Sequence, residues 1–427
     1  MTMILKNARL LTPEKGTLSD GALVIDGGRI AQILPSGSRL PEGAETIDCG
    51  GATLAPGIID IGVKVCEPGE RHKESFRTAG EAAAAGGVTT IVTRPDTEPA
   101  IDTPEVLEFV HRRAVRDSAV RVLPMAALTK ARAGREMAEI GFLQDAGAVA
   151  FTDCDAVVRD PKVLAKCLTY AGGCGALVMG HVQDPQMSDG AAATSGALAS
   201  RLGLPAVAPV AERMGLERDL ALIEMTGTRY HADQISTAGA LPALTRAKEE
   251  CLPVTAGASI HHLTLTEADI EGYRTFFKIK PPLRAEADRQ AVVAALADGT
   301  IDVISSMHTP QDEESKRLPF DLAASGAVAL ETLLPAALSL VRAGEIDLPV
   351  LWRALSLNPA KIIGSDGGRL AEGAPADLVL FDQTAAFAMD RTALKSKTKN
   401  TPYDERPMQG RVLRTFVGGA QVFCQDS

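Results

Sequence analysis

No apolar run in this 427-residue chain approaches the ~18 residues that a membrane-spanning helix needs. Its opening residues Met1-Thr2-Met3-Ile4-Leu5-Lys6 lack the charged-then-apolar layout of a signal peptide, and the two absences together predict a cytoplasmic protein. A Lys/Arg-rich run is missing too, and the formal net charge is −10, which argues against nucleic acid or an anionic membrane as the main partner. The seven cysteines include no Cys-x-x-Cys pair, so scattered reduced thiols are expected rather than a disulfide framework or a zinc ribbon. No Gly-x-Gly-x-x-Gly follows an early strand, which counts against an open dinucleotide-binding sheet.

What is present is length, a 45% hydrophobic composition and a regular alternation of elements, enough for one large barrel with a smaller appended domain. Residues 1–53 carry short strands broken at Gly16, Gly21 and Gly27-Gly28. From 54 to 365, β-rich runs alternate with helical stretches at βα spacing, with strands expected at 58–65, 88–94, 120–126, 147–152, 176–181, 229–235, 253–256 and 301–306. Eight such units over roughly 300 residues predict an α/β fold with a closed (β/α)8 TIM-type barrel. Strand-like runs return in 366–427, as in Ala376-Asp377-Leu378-Val379-Leu380-Phe381. The two termini are therefore expected to build one small β-sandwich beside the barrel.

The run Asp60-Ile61-Gly62-Val63-Lys64-Val65 follows Ala55-Pro56-Gly57-Ile58-Ile59 and precedes Glu67-Pro68-Gly69 and Ala82-Ala83-Ala84-Ala85-Gly86-Gly87-Val88-Thr89-Thr90. With Phe277-Lys278-Ile279-Lys280-Pro281-Pro282-Leu283-Arg284 and Ser396-Lys397-Thr398-Lys399-Asn400-Thr401-Pro402-Tyr403, it resembles the dihydroorotase branch of the amidohydrolase superfamily over nearly the whole chain. The resemblance implies a hydrolase of a cyclic amide with a zinc pair at the C-terminal ends of the barrel strands, where a bound water becomes hydroxide near neutral pH.

Position by position, that chemistry is missing. Where the family has His-x-His on the first strand, this chain has Gly62 and the cation Lys64, and the arginine that grips substrate corresponds to Cys66. The Met-Pro-Asn-Thr segment after strand two reads Arg94-Pro95-Asp96-Thr97, placing a carboxylate where an anionic substrate would bind. On strand six the ligand histidine is Gln234, and His231, three positions earlier, has the opposite strand parity and reads as structural. The family's Asp-His-Ala-Pro-His on strand eight corresponds to Met307-His308-Thr309-Pro310-Gln311, so a thioether stands where the proton-shuttling aspartate belongs. The substrate-contacting asparagine before that strand is Lys280. Only Asp153 and His181 remain at ligand positions; adding the adjacent Cys154 to them is the one route to a mononuclear site. Neither His261-His262 nor His308 restores the set.

No catalytic residue, cofactor or zinc pair is therefore expected, with at most one weakly bound ion. Lys64 is expected to pair with a buried Asp153, and Met307 to fill volume left by the ions. Three readings follow. The first is a degenerate, inactive dihydroorotase-like protein of pyrimidine biosynthesis; within the resemblance, such chains occur as partners of the aspartate transcarbamoylase catalytic chain. The second is an active dihydroorotase or hydantoinase-like hydrolase with an unusual metal site, and the third a metabolite-binding module without turnover. A homo-oligomer is compatible with all three.

Overall fold

The structure is a computed structural model that describes residues 2–425; Met1, Asp426 and Ser427, at the ends of the two outer segments, lie outside the described residues. The strands Ile58–Val63, Val88–Thr93 and Arg121–Pro124 pair in parallel, as do Val178–His181, Tyr230–Asp233, Val254–Ser259 and Val303–Ser305. Phe151 joins the two groups by parallel bridges to Ala126 and Val178. The ring closes where Lys64 N donates to His308 O at 2.9 Å. This is the eight-unit TIM-type barrel with a β-rich domain beside it.

The fourth barrel strand is shorter than the expected 147–152. Gly147 takes φ +101° and Ala148 N bonds back to Leu143 O, so the chain leaves the preceding helix and enters the ladder only around Phe151. Helices start where the sequence supplies caps. Ser75 and Thr78 form a capping box at the head of Phe76–Ala85, and Asp160 accepts from Lys162 N at the head of Pro161–Gly173. Among the described residues no helix is long and apolar enough to cross a membrane.

Both ends of the chain meet in one eight-stranded sheet beside the barrel. Its order runs Ala420–Cys424, Pro407–Val417, Leu378–Ala388, Thr53–Pro56, Met3–Thr12, Thr17–Asp26, Arg29–Pro35, with Glu45–Asp48 also against Met3–Thr12. Thr53–Pro56 pairs with Leu378–Phe381 and with Arg9 and Leu10, so it belongs to this domain, and the barrel starts after Gly57 rather than at 54. Period-two alternation serves two cores: Leu378 and Leu380 join Leu5, Leu23 and Phe416, while Val379 and Phe381 face the barrel's cluster. Trp352 stacks on Phe381 at 4.9 Å and donates from Nε1 to Pro56 O, locking the two domains together.

Candidate functional site

The C-terminal ends of the barrel strands bring together most of the residues singled out in the sequence, as a ladder of alternating charge. Lys64 Nζ lies 3.2 Å from Asp96 and 3.7 Å from Glu70, which Lys73 also contacts. Asp96 takes a two-pronged bond from Arg94, with Nε at 3.1 Å and Nη2 at 2.9 Å. Arg94 reaches on to Asp155 at 3.8 Å, which also meets Arg132 at 3.2 Å and Lys280 at 3.4 Å. A buried carboxylate such as Asp96 normally resists ionisation, but the Arg94 guanidinium holds it below its ordinary range, and Arg94 with Lys280 does the same for the more exposed Asp155. A planar guanidinium bonding bidentately is the arrangement that best compensates such burial.

The expected Lys64–Asp153 pair does not form. Asp153 is instead held by the backbone N–H groups of Leu128 and Thr129, each at 3.0 Å, and by the Thr129 hydroxyl. Those donors satisfy the carboxylate without a cation, while burial pushes its pKa upward. Lys64, leaving the first strand, finds the carboxylate after the second strand nearer. Arg94, Asp155, Arg132 and Glu70 carried no weight in the sequence reading. Their signal was present: charges of both signs cluster just past the ends of strands one to four.

Around the ladder, several of the positions matched to family ligands are filled by packing or engaged in hydrogen bonds. Gly62 has φ +97°, and a Cβ there would stand 2.8 Å from Met307 Sδ, so the thioether occupies the room an imidazole would need. Met307 and Gln234 both adopt left-handed backbone, at φ 48° and 59°. Gln311 donates from Nε2 to Ser325 O at 2.8 Å, and Cys66 is buried with its thiol pushed up to about 12. His308 accepts at Nδ1 from Ala329 N and Leu330 N, which leaves its ring proton on Nε2, 3.4 Å from Glu74. His231 is tied to Thr255 at 2.8 Å, away from the mouth.

A zinc pair does not fit these side chains. No three His, Cys, Asp or Glu residues come together to hold a metal among the described residues. Asp153, Cys154 and His181 border one cavity of about 30 Å³, but the Asp153 oxygens are already bonded and burial pushes the Cys154 thiol up to about 12, against the thiolate a metal takes. His181 borders a larger cavity of about 610 Å³ between the loops after strands three, four, five and seven, and burial pushes its pKa down to about 4.

Comparison with known proteins agrees with this scaffold. The Dihydro-orotase-like family matches residues 51–240, and the Amidohydrolase family matches residues 196–423. A dihydroorotase of Anaeromyxobacter dehalogenans is 38% identical over 99% of this chain and 98% of its own length, and one from a Wolbachia of Drosophila simulans is 37% identical over 99% and 95%. Among solved structures, an L-hydantoinase from Arthrobacter aurescens superposes with a TM-score of 0.89 over 100% of this chain and 96% of its own, at 24% identity. At that identity the likeness speaks for the fold alone.

Proposed function

The chain belongs to the dihydroorotase family of the amidohydrolase superfamily, and from that premise we propose that it has given up cyclic-amide hydrolysis and acts through its surface, as a structural partner of aspartate transcarbamoylase in pyrimidine biosynthesis. The observation that carries the first half is the charge ladder Glu70–Lys64–Asp96–Arg94–Asp155, two members of which, Lys64 and Asp96, stand where the family pattern has a metal ligand and a substrate contact. An ammonium and a guanidinium there repel a divalent cation, and no side chain at the Met307 position can return a proton to a leaving amide.

A barrel of this size that does no chemistry is maintained most simply for what its surface binds. Phe109, Phe142 and Tyr170 are exposed on the successive outer helices Pro104–Asp117, Ile140–Asp145 and Pro161–Gly173, which pack side by side. Exposed aromatic residues of this kind favour a docking face, and a stable mixed complex buries at least ~1,200 Å².

Elemental analysis and a dihydroorotate hydrolysis assay on the purified chain test the loss of chemistry; two tightly bound zinc ions with turnover would overturn it. Gel filtration with the transcarbamoylase of the same organism tests the partner. The expected result is a shared peak at micromolar concentration with the transcarbamoylase stabilised, and separate elution with its stability unchanged would remove the assembly role.

A further inference from the structure

The eight-stranded sheet beside the barrel treats its edges unequally. A sheet edge presents unpaired N–H and C=O groups, and folds normally blunt it with charge, proline or a covering segment. The edge strand Arg29–Pro35 has all three. It opens on Arg29 and closes on Pro35, and the chain at 372–374 lies along it: Ile30 N donates to Ala374 O at 2.9 Å, Gly373 N to Ile30 O at 2.8 Å and Ile33 N to Glu372 Oε1 at 3.2 Å. The short branch Glu45–Asp48 carries a carboxylate at each end. At the far edge, Ala420–Cys424 reads Ala-Gln-Val-Phe-Cys, with neither charge nor proline, and among the described residues it pairs only with Pro407–Val417.

The outer side of this strand can accept another. Gln425 N donates to Leu413 O at 2.9 Å, in register with the pairing of Cys424 and Arg414. Hydrogen bonds alternate along an antiparallel ladder, so the N–H and C=O of Cys424 point away from Pro407–Val417. Cys424 is exposed, and Val422 and Phe423 are half-buried. A groove of about 380 Å³ opens at the same end of the strand, and Phe387, Met389, Leu394, Val412 and Phe423 make its apolar wall. The uncharged edge therefore continues into an uncovered apolar surface.

We propose that two copies of the chain associate through this edge, their Ala420–Cys424 strands pairing antiparallel about a twofold axis so that the two sheets become one. A second copy is the occupant the strand itself favours. A twofold brings identical strands together, which sets like charges against each other wherever the strand is charged, and an uncharged strand avoids that repulsion in a chain of net charge −10. The adjoining turn Gly418-Gly419 has no side chains to obstruct the end of the partner strand. Five paired residues span about 17 Å, and with the partner closing the open end of the groove the contact lies at the small end of specific interfaces, so micromolar affinity is expected. The edge shares no residue with the face of Phe109, Phe142 and Tyr170, so the pairing stands or falls separately from the transcarbamoylase role.

The test is sedimentation velocity of the full-length chain from about 1 to about 100 µM, under reducing conditions so that the exposed Cys174, Cys251 and Cys424 cannot cross-link. A reversible shift from one chain to two is expected, with a Kd of about 10 µM. Cys424→Pro removes the outward N–H without breaking a bond of the sheet, and Ala420→Lys puts a cation on each copy at the seam. Each should raise the Kd at least about tenfold with the melting temperature unchanged, whereas Phe142→Ser on the helical face should leave the Kd as it was. A single chain at about 100 µM would overturn the proposal and leave the edge to an extended segment of a different protein. A dimer that both edge substitutions leave intact, or that Phe142→Ser alone dissociates, would overturn it as well.

Discussion

Two charged regions lie within the same barrel, one partly open to solvent and one buried, and they compensate charge differently. At the mouth, charge is compensated side chain to side chain, in the ladder from Glu70 to Asp155. Below the rim, Glu212 is a hub. Its carboxylate accepts from the backbone N–H groups of Ser236 and Thr237 at 2.9 and 2.8 Å, from both their hydroxyls and from Gln183, with Arg284 at 3.5 Å. Ser236-Thr237 and Arg284 belong to segments that match the family pattern, whereas the ladder consists largely of departures from it. The matching segments thus hold the scaffold, while the departures gather in the ladder at the mouth.

The largest expected effect tests the hub. Glu212→Leu leaves Arg284, 2% exposed, without its counter-charge and strands the Ser236 and Thr237 donors. Removing one partner of a buried pair costs about 4 kcal/mol, measured as a fall in unfolding free energy in urea. A loss below about 1 kcal/mol would show that hub and ladder do not differ in kind.

Acid separates the regions next. Burial pushes His181 and His231 down to about 4 and His261 and His262 down to about 3. Their folded values lie below the unfolded one near 6.5, so the unfolded chain binds more protons and stability falls as pH drops below 6.5. Asp60 and Asp233, raised to about 6 by burial, work in the opposite sense and recover stability as pH falls through 6. Four histidines outweigh two aspartates, and a net loss of about 2 kcal/mol is expected between pH 6.5 and 5.5. The ladder carboxylates Asp96 and Asp155 are held below their ordinary range and stay ionised throughout that interval, so the loss should be the same in a chain carrying Lys64→Met. Stability flat or rising over this interval would contradict the assignment.

How far the molecule could be read from sequence follows the same division. The barrel order was legible because βα spacing and period-two runs report local geometry, as Leu378–Phe381 does in facing two cores by turns. The places of Gly62, Lys64, Gln234 and Met307 were legible because each occupies a fixed position in a motif, and Gly62 and Met307 meet directly at the mouth. The partner of Lys64 was not legible. Choosing between Asp96 and Asp153 depends on which carboxylate the local backbone already satisfies, and the Leu128 and Thr129 N–H groups that hold Asp153 come from a loop with no marker in the sequence. The side to which 54–57 belongs was not legible for a related reason: an apolar run leading into the first barrel strand fits either domain, and only the pairing of Thr53–Pro56 with Leu378–Phe381 decides.

The smallest effect is expected where the sequence alone suggested a large one. Had Lys64 been the only counter-charge of a buried Asp153, removing it would cost about 3 kcal/mol. Asp96 instead keeps the two-pronged bond from Arg94 when Lys64 is gone, and Glu70 keeps Lys73. Lys64→Met should therefore lower the unfolding free energy by only about 1 kcal/mol, the methionine stem replacing most of the apolar contact of the lysine chain. The measurement is urea unfolding of Lys64→Met, Arg94→Met and the double variant. If the ladder is a set of overlapping pairs on Asp96, the double variant should lose clearly more than the sum of the two single losses, because only then does the carboxylate stand alone. Strict additivity would mean that Lys64 and Arg94 do not share Asp96 in solution, and the mouth would have to be redrawn as separate pairs.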